Sequence, residues 1–183
     1  MGNYYLDMWR VVAYVFFPSS LVMGVLLMAA AEALAQDKQQ PARRIIVSIP
    51  DRKLAVMEAG RVLRVFPTAV GAPKSPSPAG AFRIVVRIPD PTWYGKGRIV
   101  PPGKSNPLGT RWLGLSVKGY GIHGTNNPAS IGHNASHGCI RMRNHDVEQL
   151  FEMVSVGDTV ELYDQATPET AQIFAAAAAG GTL

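Results

Sequence analysis

The chain contains a single cysteine, Cys139, and only four histidines. One cysteine excludes an intramolecular disulfide, so its thiol is either an inert buried group or a reactive one. No serine opens a Ser-x-x-Lys sequence, which removes the penicillin-binding kind of serine nucleophile from consideration. Aromatic residues are sparse at 8%, and the Lys and Arg residues neither interleave with them nor gather on a helical stretch, so nucleic acid is not an expected partner. Acidic residues are outnumbered, 13 against 18 basic ones, for a formal charge of +5. That balance suits an anionic polymer without identifying one. The 183 residues are 47% hydrophobic, enough for one globular domain with a real core plus appendages.

Residues 1–35 read as a secretory signal. Arg10 precedes an apolar tract over 11–17, Pro18-Ser19-Ser20 interrupts it, and a second apolar run over 21–31 leads to Ala33-Leu34-Ala35, a small-residue cleavage pattern. Cleavage there predicts an exported protein. An uncleaved segment would instead be an N-terminal anchor, the two runs together being long enough to span a bilayer. No cysteine follows Ala35 at the cleavage point, which argues against a lipoprotein. Residues 36–42 form a short polar linker, and the globular domain is expected over 43–163.

Strand signals dominate that domain. Residues 44–49 are β-branched and apolar, and 53–57 pairs with 62–66 across Glu58-Ala59-Gly60-Arg61 as a hairpin. Three prolines over 73–78 forbid regular pairing, and a strand follows over 81–88. Residues 89–109 carry five prolines and four glycines, and so long a stretch without regular structure is functional or disordered. Trp93 and Tyr94 lie within it, either as substrate contacts of a flap or as the pins of an ordinary surface loop. Strands over 111–117 and 119–123 come next, then the clearest helix. Asn144 reads as its N-cap, Asp146 and Glu148 suit its first turn, and Val147, Leu150, Phe151 and Val154 repeat at helical spacing. A strand over 159–163 closes the domain. Residues 164–183, with an alanine run over 175–179, read as a C-terminal tail, either a frayed helix or disordered.

The chemistry concentrates in G-I-H-G-T-N-N-P-A-S-I-G-H-N-A-S-H-G-C-I-R-M-R, residues 121–143. Gly138 stands directly before Cys139, where a tight bend would turn backbone N–H groups toward a developing oxyanion. His123 and His137 are both candidates for the base. Arg141 suits a substrate carboxylate or, alternatively, structural bonding to loop carbonyls. Ser136 suits support of the loop. His133, His137 and Cys139 also raise the question of a metal, but H-x-x-x-H-x-C matches no common zinc spacing, and a metal would occupy the thiolate that the chemistry needs. No metal and no cofactor are expected.

His123-Gly124-Thr125 followed by Ser136-His137-Gly138-Cys139-Ile140-Arg141 resembles the signature of the L,D-transpeptidase catalytic domain (YkuD-type). Ser77-Pro78-Ala79-Gly80-Ala81-Phe82 and Asn106-Pro107-Leu108-Gly109 are similar to two further segments of that family. The resemblance implies Cys139 as nucleophile, its thiol pKa lowered by an imidazolium at His123. It implies His123 as base, oriented by the Gly124 carbonyl in place of an Asp, and N–H groups of His137, Gly138 and Cys139 as the oxyanion hole. His137 would then be a structural and electrostatic member of the site. The fold expected from strand count and resemblance is mainly β, a twisted sandwich or half-open barrel with one principal helix. The implied activity is L,D-transpeptidation on peptidoglycan peptide stems, in the periplasm or cell-wall space, by a monomer that carbapenems acylate. A carboxypeptidase or wall-protein-releasing hydrolase on the same scaffold is the alternative. A non-catalytic wall-binding module is a more distant one.

Overall fold

The computed structural model describes residues 42–95 and 97–179. The expected signal over 1–35 and the expected linker, apart from Ala42, lie outside the described residues.

The hairpin expected near the start is present. Strand β1, Arg44–Ser48, runs antiparallel to β2, Lys53–Glu58, which turns at Ala59 and Gly60, both with positive φ, into β3, Arg61–Pro67. The short β4, Val70–Gly71, precedes the unpaired proline-rich loop, and β5, Gly80–Pro89, follows it. Further on come β6, Trp93–Gly95, β7, Arg98–Val100, β8, Arg111–Leu115, and β9, Gly121–His123. Then β10, Asn134–Ser136, and β11, Ile140–Arg141, lead into helix α1, Asn144–Met153, and β12, Thr159–Tyr163, leads into α2, Pro168–Ala179.

Eight strands form one sheet in the order β11-β9-β8-β5-β12-β1-β2-β3. Alternation decides which side each residue serves. On β1 and β2, Ile45, Val47, Leu54 and Val56 join the main core with Ile84, Leu113, Ile122, the α1 residues Val147 and Leu150, and Val154 at the end of α1. Ile46, Ala55 and Met57 face the other way and are covered by Ile173 and Phe174 of α2. The sheet curls where β5 changes partner. Arg83 and the residues before it pair with β12, Ile84 and those after it pair with β8, and the register shifts between Ile84 and Val86. A bulge at that point increases the local twist and closes the barrel halfway, in agreement with the expected architecture.

Three details refine the sequence reading. The segment from 164, expected as either a frayed helix or a disordered tail, contains a second helix, held because Ile173 and Phe174 find an apolar face on the sheet. Residues 89–109 contain the β6–β7 hairpin, and Asn106, fully buried, ties its base together by donating from Nδ2 to the carbonyls of Pro91, Val100 and Pro101 at 2.8–3.1 Å. Asn144 is not the N-cap of α1. Arg143 occupies that position without a side-chain bond, and Asn144 Oδ1 accepts the Thr125 N–H at 3.0 Å.

Candidate active site

His123 ends β9, and both neighbouring strands hold it in register, Trp112 of β8 on one side and Arg141 of β11 on the other. Its ring stacks on Trp112 with centroids 5.6 Å apart, and its carbonyl accepts the Met142 N–H at 2.8 Å. The side chain is 5% exposed. Nδ1 lies 2.6 Å from the Gly124 carbonyl. A carbonyl oxygen only accepts, so Nδ1 carries the proton and Nε2 keeps its lone pair in the neutral ring. Gly124 is in turn fixed by its N–H donating to Arg111 O at 3.2 Å, and the next residue by Asn144. A Cβ at Gly124 would meet Asn144 Oδ1 at 2.3 Å, so only glycine allows this close approach.

Cys139 follows a bend that Ser136 organises. Ser136 Oγ–H donates to the Cys139 carbonyl at 2.5 Å while Oγ accepts the Gly138 N–H at 3.0 Å. Gly138 has φ 111°, and a Cβ there would sit 2.5 Å from the Tyr120 ring; sterics and conformation both require glycine. Because Gly138 N–H is engaged inside the loop, it is not an oxyanion donor as the bend stands. Among the described residues the backbone N–H groups of His137 and Cys139 make no hydrogen bond to protein. The loop rests on the proline-rich segment, with Ala72 N–H and Ser75 Oγ–H both donating to Ser136 O, at 2.9 and 3.3 Å. Sγ of Cys139 is half-buried and 3.7 Å from Gly119 O.

The resting charge state differs from the expected ion pair. Burial pushes the His123 pKa down to about 4, with the Arg141 charge adding to the effect against the raising influence of the Gly124 carbonyl. Burial also pushes the Cys139 thiol up, opposed by a backbone hydrogen bond from Gly121 and by Arg141. Both groups are therefore neutral near pH 7. A neutral imidazole with an unprotonated ring nitrogen is able to accept a proton, and the thiol keeps its own.

These groups share one cavity of about 470 Å³. His123, Asn126, Ser136, His137, Cys139 and Arg141 line it together with Trp93, Arg98, Val100, Ser105 and Pro107 of the 89–109 segment. Tyr94 is not among the lining residues. It follows Trp93 on the same strand, so alternation turns it outward, 75% exposed. His133 and His145 are exposed and apart from the cavity lining. Among the described residues no three His, Cys, Asp or Glu side chains gather to hold a metal ion, and no helix is long and apolar enough to cross a membrane. Trp112, Asn144 and Arg98 are the site residues that sequence reading passed over. Arg98 had a signal, since Trp93-Tyr94-Gly95 and Arg98-Ile99-Val100 flank a glycine-containing turn as a hairpin would.

The family model for the L,D-transpeptidase catalytic domain (YkuD) matches residues 42–162. A Bacillus licheniformis protein named L,D-transpeptidase YkuD is 43% identical over 119 residues, covering 65% of this chain and 64% of its own length. The match thus spans just under two thirds of that relative. The structure of an L,D-transpeptidase from Mycobacterium smegmatis aligns with a TM-score of 0.57 and 27% identity, covering 68% of this chain and 59% of the other. That of an LD transpeptidase in complex with imipenem aligns with a TM-score of 0.56 and 25% identity, covering 67% and 59%.

Proposed function

The chain belongs to the L,D-transpeptidase catalytic-domain family, and from that premise we propose that it is an exported cysteine acyltransferase that cross-links peptidoglycan peptide stems. The observation that carries the reading is the buried, Nδ1-tethered His123 in one cavity with Cys139. A neutral imidazole with its free lone pair on Nε2 is the form that takes a proton. As Cys139 Sγ attacks the carbonyl of the L-centre of the third-position diamino acid, its proton passes to His123. The negative charge on the carbonyl oxygen is met by the His137 and Cys139 N–H groups. Collapse breaks the amide bond, the departing D-Ala amine takes the proton from His123, and a thioester remains on Cys139. The side-chain amine of a second stem then attacks the thioester, loses a proton to His123, and restores the thiol with a 3→3 cross-link formed.

The same attack opens a β-lactam ring, so a carbapenem is expected to acylate Cys139. The imipenem complex of a family structure, which covers 67% of this chain, supports the extension. The test is product analysis by mass after incubating the protein with tetrapeptide muropeptides. Cross-linked dimers lacking one D-Ala are expected. Tripeptides with a free carboxylate as the sole product would replace transfer by hydrolysis, and unchanged substrate would refute both.

A further inference from the structure

The β6–β7 hairpin has two different faces. Its register pairs Trp93 with Val100, Tyr94 with Ile99 and Gly95 with Arg98. Trp93, Arg98 and Val100 line the cavity, while Tyr94 and Ile99 are 75% and 69% exposed on the far side. Gly95 has its own part in this arrangement. A Cβ there would lie 1.8 Å from the Trp93 ring, so the indole lies folded over the glycine, on the strand position that faces Arg98. The inner face thus carries an indole held against a glycine and, on the paired strand, the solvent-exposed Arg98, and both line the cavity.

Arg141 lines the same cavity, two residues beyond Cys139 and in register with His123. No Asp or Glu lines the space between the two arginines. Among the described residues, neither Arg98 nor Arg141 sits within ion-pair distance of a carboxylate. Arg141 Nε is moreover buried without a hydrogen-bond partner. Two uncompensated guanidiniums facing one cavity of about 470 Å³ lower the energy of a ligand with two negative charges and disfavour a neutral one.

We propose that Arg98 is a specificity-determining residue that pairs with a carboxylate of the donor stem, so that this site selects donors bearing two carboxylates, one for Arg98 and one for Arg141. This rests on the transpeptidase reading above. A donor tetrapeptide offers two sources of that carboxylate near the attacked carbonyl, the terminal D-Ala and a side-chain carboxylate on the diamino acid. Both place a planar acceptor within the reach of a bidentate guanidinium.

The experiment compares three tetrapeptide donors on wild-type full chain and on Arg98→Gln, reading the rate of thioester formation by intact mass. One donor has both carboxylates free, one is amidated on the diamino acid side chain, and one is amidated at the D-Ala terminus. A neutral alkylating agent, iodoacetamide, provides the control for an intact thiol, and its rate is expected to be the same in both proteins. Arg98→Gln is expected to slow the free-acid donor about 10- to 100-fold, the range for loss of a charge-assisted pair. Amidating the one carboxylate that Arg98 meets should slow wild type by the same factor and slow Arg98→Gln no further. Which donor shows this loss of additivity identifies the carboxylate. Wild-type-like rates in Arg98→Gln, or factors that multiply for both amidated donors, would overturn the assignment. Absence of a thioester with every donor in wild type, while iodoacetamide still reacts, would instead sink the transpeptidase reading and the assignment with it.

Discussion

At the level of single residues, His123 is kept neutral by burial, and this has consequences for both stability and rate. In the unfolded chain a histidine titrates at about 6.5, and in the folded one His123 titrates at about 4. Between these values the unfolded state holds the extra proton, so stability rises with pH through that window and is lost as pH falls from about 6.5 to 4. Urea unfolding of wild type should lose on the order of 3 kcal/mol across it, and His123→Gln should show a flatter profile. The thiol behaves in the complementary way. Alkylation of Cys139 should keep rising beyond the ordinary thiol midpoint of about 8.5, because burial holds the proton on. A rate plateau already reached near pH 6 would reveal a pre-formed thiolate–imidazolium pair. Ser136 is open to a separate test. Ser136→Ala removes the acceptor of Gly138 N–H and the donor to Cys139 O, leaving a buried N–H unsatisfied at about 1–3 kcal/mol. Thioester formation should fall about 10- to 100-fold, while the alkylation pH profile stays in place.

Among the elements, α1 and the 89–109 segment decide how well the site is held. Asn144 begins α1 but its side chain serves the strand that carries His123, accepting from Thr125 N–H and packing against Gly124 and Gly109. Asn144→Ala should therefore leave far-UV circular dichroism unchanged and reduce acylation. A loss of helix signal with normal acylation would return Asn144 to a capping role. The helix itself was legible because Val147, Leu150 and Val154 repeat at 3.6-residue spacing and all reach the core. The use of Asn144 was not, because a cap and a tertiary acceptor look the same in sequence. Strand β1 was readable from its β-branched run, while His123, Ser136, Gly138 and Cys139 stood out through the resemblance of the whole string that contains them and not through spacing alone. The hairpin over 93–100 was obscured by prolines at 89, 91, 101 and 102, which suggest irregular chain but here flank a paired element. The neutral state of Cys139 and His123 was also out of reach, since desolvation depends on what covers a group and not on its sequence neighbours.

For the whole domain, the sheet has two apolar faces and a helix for each. Removing residues 165–183 would uncover Ile46, Ala55 and Met57 and delete the contact of Arg44 Nη1 with Glu169 at 2.6 Å. The expected loss is on the order of 3 kcal/mol from the burial of Ile173 and Phe174, measured as a lower denaturation midpoint, with the exposed ion pair adding little. Acylation should persist in the truncated protein below its melting temperature, because the cavity is built entirely from residues 93–141. The proposed activity comes down to one event, transfer of a stem acyl group to Cys139. The most direct test is intact-mass spectrometry of the full chain quenched early in reaction with a tetrapeptide donor, followed by peptide mapping. The account predicts an adduct equal to the donor minus D-Ala, located on Cys139 and absent in Cys139→Ala. Release of D-Ala by Cys139→Ala at a rate near that of wild type would contradict it.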